Sequence, residues 1–316
     1  MNHNQWIRKL GLVVYTGSKG LDLSSFRVVF EIRNADTESP NNATIRVYNL
    51  AASTVQNLVN GGEYTQVTLN AGYVNGNYGV IFTGTIKQFR VGKETATESY
   101  LDILAADGDI GYNQGFVNQS IAKGSTPLQT IDRLIGAMPT LSSDNSYSPI
   151  ITQQNIPSIR GQVAFGMARA RLRNVVSNLD ATWSIQQGKI VVVPRTGYLP
   201  GEIVQINIAN GLIGVPQQTA EGIKIRCLLN SRIRIGGLVQ LNNDEIAQTL
   251  NNGIGPPIAY NQYGIYHNAA LASKNGYYRA YVVEHEGDTR GNPWYTNLTC
   301  LAVDITAPST TAVSGT

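Results

Sequence analysis

Histidine and cysteine are almost missing: three and two residues in a chain of 316. The histidines are His3, His267 and His285, and no His-x-x-x-His spacing joins any two of them. No zinc site with ordinary ligand spacing can therefore be assembled from the sequence. Cys227 and Cys300 sit in strand-like runs far apart, and a disulfide needs a geometry that spacing alone does not supply. Reduced core thiols are the expectation. Charge is scarce too, at 14% of residues with a formal net charge of +3. No overall field draws such a chain to nucleic acid or to an anionic membrane, and protein partners are the simpler expectation. No window approaches the roughly 18 apolar residues of a membrane span, so no membrane anchor is expected. The opening MNHNQWIRKLGLVVY holds only a short, interrupted apolar run, which argues against an export signal and for synthesis in the cytosol. Neither a Gly-x-Ser-x-Gly elbow nor a phosphate-binding loop ending in Gly-Lys-Ser/Thr occurs. No catalytic residue, cofactor or metal ligand is predicted.

What the chain does have is alternation. Ile223, Ile225 and Cys227 against Lys224, Arg226 and Leu228 repeat with the period of two expected of a half-buried strand. Asn230-Ser231 reads as a turn, and Ile233 and Ile235 against Arg232 and Arg234 as a return strand, with Gly236-Gly237 as a bend. Phe26, Val28, Phe30 and Ile32 alternate in the same way, and similar runs cover 44–50, 67–73, 80–90 and 100–105, broken by a short helix over 51–60. The middle of the chain differs. Thr126-Pro127-Leu128-Gln129 has the N-cap, first-turn proline and third-position glutamine of a capping box. A second helix is predicted over 162–179, with Arg169 and Arg173 one turn apart, followed by a hairpin turning at Gln187-Gly188. Strands return after Pro200 and end with 277–284 and 294–304. The predicted fold is mainly β with a small α+β insertion. A β-barrel-like domain over 1–110 and another over 201–306 flank a middle α+β domain over 111–200, and 307–316 is a disordered tail.

Three clusters invite a functional reading. His285-Glu286-Gly287-Asp288 suggests a hydrolase or metal loop, against which stands an ordinary hairpin where Asp288 caps turn amides and Arg290 pairs with a carboxylate. Between these lies a subunit contact, since Arg290 and Trp294 are residue types that favour interfaces. The stretch 160–195 carries six basic residues and one acid but only two aromatics. That suits a solvated helix face or docking to an acidic protein surface better than nucleic-acid stacking. Sixteen tyrosines against six phenylalanines suit barrel rims and subunit contacts, and equally the aromatic platforms of a glycan-binding module.

The succession Gly211-Leu-Ile-Gly, Pro216, Gly222-Ile223, Leu228-Leu-Asn230, then Gly236-Gly-Leu-Val239 resembles baseplate hub proteins of contractile-tailed bacteriophages. So do IRVYNLAASTV (Ile45–Val55) and GYYRAYVVEHEGDTRGNPWYTNLTC (Gly276–Cys300), which makes the likeness one of the whole chain. The resemblance implies a non-enzymatic virion protein of the tail baseplate, assembled in the host cytoplasm. It implies a homotrimer whose two tube-forming barrels per copy mimic six-fold symmetry. The trimer would contact the tail-tube protein, a central spike and other baseplate proteins, with DNA passing through unbound. Subunit contacts are then expected at Asp288, Arg290, Trp294, Arg226, Arg234, Arg169 and Arg173. The alternative is a cell-wall glycan-binding or peptidoglycan-acting tail protein.

Overall fold

The alternation seen in the sequence becomes burial. In the strand Gly222–Leu228, Ile223, Ile225 and Cys227 are buried while Lys224 and Arg226 face solvent. The computed structural model describes residues 4–60, 64–144, 151, 154–219, 222–241 and 276–303. The expected loop over 242–272, the expected tail and two of the three histidines (His3, His267) lie outside the described residues. The fold is mainly β.

The first part of the chain forms β1 (Asn4–Thr16), β2 (Lys19–Asp22), β3 (Val28–Ala35), β4 (Asn42–Tyr48), β5 (Gln66–Asn75), β6 (Tyr78–Lys93) and β7 (Ser99–Ala106), with the helix α1 (Ala52–Asn60) as expected. The last part forms β13 (Val204–Ile206), β14 (Leu212–Thr219), β15 (Gly222–Leu228), β16 (Leu238–Leu241), β17 (Tyr277–Asp288) and β18 (Trp294–Ala302). Both parts belong to one sheet ordered β14-β15-β18-β17-β3-β4-β7-β6-β5-β1-β2, with β16 beside β17 and β13 beside β16. The junction is the antiparallel pairing of β3 with β17, seven positions from Val282↔Ala35 to Asp288↔Val29. Two cores lie along the sheet, and the first takes in Leu229 and Trp294 from the last part. Leu12, Phe30, Val47, Leu69, Ile103 and Trp294 belong to one, and Ile206, Ile225, Val239, Tyr278 and Cys300 to the other.

Between them in sequence lies the α+β unit: α2 (Asp109–Gln114), β8 (Phe116–Ile121), α3 (Pro127–Gly136), β9 (Ser142–Ser143), β10 (Gln162–Met167), α4 (Ala168–Asn178), β11 (Ala181–Gln186) and β12 (Lys189–Pro194). Its core is separate again, built around Ile131, Leu172 and Trp183. The capping box is present: Gln129 N donates to Thr126 Oγ1 at 3.3 Å, and Thr126 N to Gln129 Oε1 at 3.1 Å. The β11–β12 turn places Gln187 at φ 54 and Gly188 at φ 76, the left-handed pair of a type I′ turn.

Two expectations need correction. The helix expected over 162–179 starts only at Ala168. Its first six residues are a strand because they pair with β8 along their whole length, and Gly166 at φ 113 cannot continue a helix. The return strand expected at Ile233 and Ile235 is a run of turns. Both isoleucines are buried and both flanking arginines exposed, but Gly237 N donates locally to Arg234 O at 3.1 Å instead of joining a ladder. Alternate burial does not require strand pairing.

Candidate functional site

The turn between β17 and β18 gathers the residues singled out in the sequence and fastens them to two other strands. Asp288 N donates to Pro293 O at 2.8 Å, and Asp288 Oδ1 accepts from Arg290 N at 2.8 Å, so the aspartate closes its own turn. Arg27, just before β3, reaches Asp288 Oδ2 at 2.8 Å. Burial pushes the Asp288 carboxyl up, but the Arg27 guanidinium and the amides of Arg290 and Gly291 outweigh it and hold the group below the usual carboxylate range. Thr289 N donates to Val28 O at 3.0 Å, and Val28 N to Thr289 Oγ1 at 3.0 Å. From β1, at the other end of the sheet order, Arg8 donates to the carbonyls of Asp288 (2.8 Å), Gly291 and Asn292 (2.9 Å). Its guanidinium stands 5.4 Å from the Trp294 ring centroid. Arg8 thus bridges β1 to the far hairpin.

Trp294 is 1% exposed and packs edge-on against Phe30 at 5.5 Å, over Gly287, where a Cβ would lie 2.4 Å from Phe30 Cζ. Trp294 therefore presents no side-chain surface to a neighbouring copy. Its aromatic type suited an interface, and the core took it instead. Asp288 is likewise used within the chain, while the Arg290 side chain is exposed. His285 is buried, its Nδ1 3.0 Å from Thr296 Oγ1, and burial pushes its pKa down to about 4. Burial also raises the thiol of Cys227, to about 12, and that of Cys300. Both cysteines are unpaired in the core. Among the described residues no three His, Cys, Asp or Glu side chains converge as a metal set, and no helix is long and apolar enough to cross a membrane.

The remaining arginines are dispersed. Arg226 on β15 pairs with Glu286 at 2.6 Å and lies 4.2 Å from the Tyr295 ring centroid. Arg234 is exposed and lines a cavity of about 590 Å³ that also touches Asp107, Lys189, Glu202 and His285, where all three units meet. On α4, Arg169 donates to Tyr112 O at 2.9 Å and Asn113 Oδ1 at 3.0 Å. Arg173 pairs with Glu38 in the loop after β3.

Sequence reasoning missed the two most buried polar joints. Arg279 of β17 is 3% exposed and pairs with Asp36, also 3% exposed. Its Nη1 donates to the carbonyls of Pro194 (2.7 Å) and Gly197 (3.1 Å), while Thr182 Oγ1 reaches Asp36 at 3.1–3.2 Å. One guanidinium therefore ties the N-terminal, middle and C-terminal units together. The second joint is Asp107, 3% exposed, which accepts from the amides of Gln187 and Gly188 (2.8 Å) at the tip of the β11–β12 hairpin. Burial pushes its pKa up to about 6 against the pull of those amides. Nothing local marks either joint: Asp36 and Asp107 lie one residue past the ends of β3 and β7, each with another acid two residues on, and Arg279 is one arginine within a strand.

No curated protein sequence is significantly similar to the chain. Solved structures are similar in fold. A tail protein from Neisseria meningitidis MC58 is 10% identical, with 94% of this chain and 97% of that one aligned at a TM-score of 0.55. The 43 kDa tail protein of prophage MuSo2 from Shewanella oneidensis is 7% identical over 93% and 98%, at 0.56. The E. coli c3393 protein, a type VI secretion component described as structurally similar to the T4 bacteriophage tail proteins gp27 and gp5, is 11% identical over 89% and 74%, at 0.52. Residues 11–253 match the family described as Baseplate hub gp41, so the chain belongs to this family of baseplate hub proteins.

Proposed function

We propose that three copies of this chain form a ring of pseudo-six-fold symmetry that joins a hexameric tail tube to a trimeric spike in a contractile tail. The observation that carries the reading is the pair of β units, built on two cores and set side by side in one sheet through β3 and β17. Two such units in each of three copies supply six tube-facing positions. The work is geometric and calls on no catalytic group; the buried, neutral His285 and the buried thiols are core residues. Exposed Arg234, Arg290, Arg173 and Arg226 are the residues of the expected contact set that keep solvent-facing side chains for a neighbour. DNA would pass through the central opening without specific binding. Other baseplate proteins would dock outside it, and assembly would take place in the host cytoplasm.

Light scattering with negative-stain imaging tests this. A three-fold ring with a central opening is the expected result, alone or after addition of the cognate spike protein. A chain that stays monomeric with the spike and tube proteins present overturns it, and retention on peptidoglycan would then favour the glycan-binding alternative.

A further inference from the structure

The β8–β10 ribbon is a two-stranded sheet of its own. One face, with Val117, Ile121 and Ala164, packs into the core of the middle unit. The opposite face leaves Phe116 (53%), Val163 (69%) and Phe165 (57%) exposed. Edges of this kind are ordinarily protected by charged residues or proline. Neither FVNQSI nor QVAFGM contains any.

The register shows which backbone groups the edge offers. Ala168 N donates to Gly115 O at 2.9 Å, and the pairs Gly166↔Val117 and Ala164↔Gln119 follow in step. In an antiparallel ladder the bonded pairs alternate, so the N–H and C=O of Val163 and Phe165 point away from β8. The Phe165 carbonyl accepts from Arg171 Nε at 3.0 Å. The amides of Val163 and Phe165 and the carbonyl of Val163 have no bond within the described residues.

The surroundings carry one sign of charge. Over residues 115–123 and 158–171 the chain has Lys123, Arg160, Arg169 and Arg171 and no acid. Arg169 is held by Tyr112 and Asn113 and Arg171 by the Phe165 carbonyl, which leaves the exposed Lys123 and Arg160 beside the ribbon.

We infer that the outer edge of β10 is a docking ledge for an extended, acidic segment of another protein, which adds as a strand and lays apolar side chains on Phe116, Val163 and Phe165. The free amides supply the ladder, the exposed ridge supplies apolar contact, and the cations select the sign of the partner. A second copy of the same ribbon is disfavoured by like charge. The two phenyl rings stand edge to face at 5.4 Å and 85°, a ridge instead of the open platforms on which bases stack. This ledge does not depend on ring formation.

The test uses the full chain and a fluorescent peptide of about eight residues alternating Val and Glu, a strand's length. Its controls are the same peptide with Lys for Glu and an oligothymidylate. The acidic peptide is expected to bind, more weakly as salt rises, and to slow amide exchange at Val163 and Phe165. Phe165→Ser, and separately Lys123→Glu with Arg160→Glu, are expected to weaken it at least about tenfold, since truncating an interface anchor costs on that scale. All three positions are exposed, so neither variant disturbs the core. Equal affinity for the Lys peptide, unchanged exchange at both amides, or unchanged affinity in both variants overturns the proposal. Displacement of the peptide by the oligothymidylate overturns it in favour of a nucleic-acid surface.

Discussion

Seven consecutive cross-strand pairs carry β3 into β17, whereas the middle unit reaches the same sheet mostly through side chains, with one main-chain bond from Leu199 N to Gly236 O at 2.8 Å: Arg279 with Pro194 and Gly197, Asp36 with Thr182, Asp107 with the hairpin tip, Arg173 with Glu38. Main-chain pairing lets two cores share one ladder and open together. Side-chain joints leave the third core an entity of its own, held by groups that can be removed one at a time. The cost of each removal depends on how deeply the group is buried.

The largest effect is expected from Arg279→Ala, which strands the Asp36 carboxylate in the interior and should cost about 3–5 kcal/mol in denaturant unfolding. Replacing both partners, Asp36→Leu with Arg279→Met, should recover most of that loss. A single-variant cost below about 1 kcal/mol would show that the joint is not what holds the units.

Next come two opposed titrations. His285 has its folded pKa lowered from 6.5 to about 4, so its contribution is present above pH 6.5 and is lost as pH falls through 4. Asp107 has its folded pKa raised from 3.8 to about 6, so its contribution is present below pH 3.8 and is lost as pH rises through 6. Each amounts to about 3 kcal/mol at 1.36 per pKa unit. The intact chain should therefore show a shallow dependence of stability on pH between 4 and 6.5. Asp107→Asn should expose a loss on acidification, and His285→Gln a gain; parallel slopes in the two variants would refute the opposition.

Smaller still, Asp107→Ala should cost about 1–3 kcal/mol by leaving two amides unpaired. Hydrogen exchange should rise at Gln187 and Gly188 while the β3–β17 amides stay unchanged. If both sets quicken equally, the middle unit does not open separately. Arg173→Ala, at an exposed pair, should change stability by less than about 1 kcal/mol.

The strands, the capping box and the Gln187-Gly188 turn were legible because each is written within a few neighbouring residues. The 162–167 segment was not, because an apolar run ahead of a helix fits either state until a partner strand decides it, and β8 lies about 45 residues away. The burial of Trp294 was not legible for a related reason: tryptophan suits a buried core and a buried interface alike, and its packing on Phe30 and Gly287 is not written nearby. The Asp36–Arg279 joint spans 243 positions, so no window of sequence contains it.

The grip of Arg8 on the turn at Asp288–Asn292 has a consequence for synthesis. Those contacts join positions 280 to 284 apart, nearly the full described length. At roughly 10 residues per second, the first strand waits about half a minute on the ribosome before its clasp exists. Such long-range closure makes for slow folding. It also acts as proofreading: a chain cut short of residue 277 has neither β17, the partner of β3 opposite β4, nor the carbonyls for Arg8, and so has no finished N-terminal unit to enter an assembly.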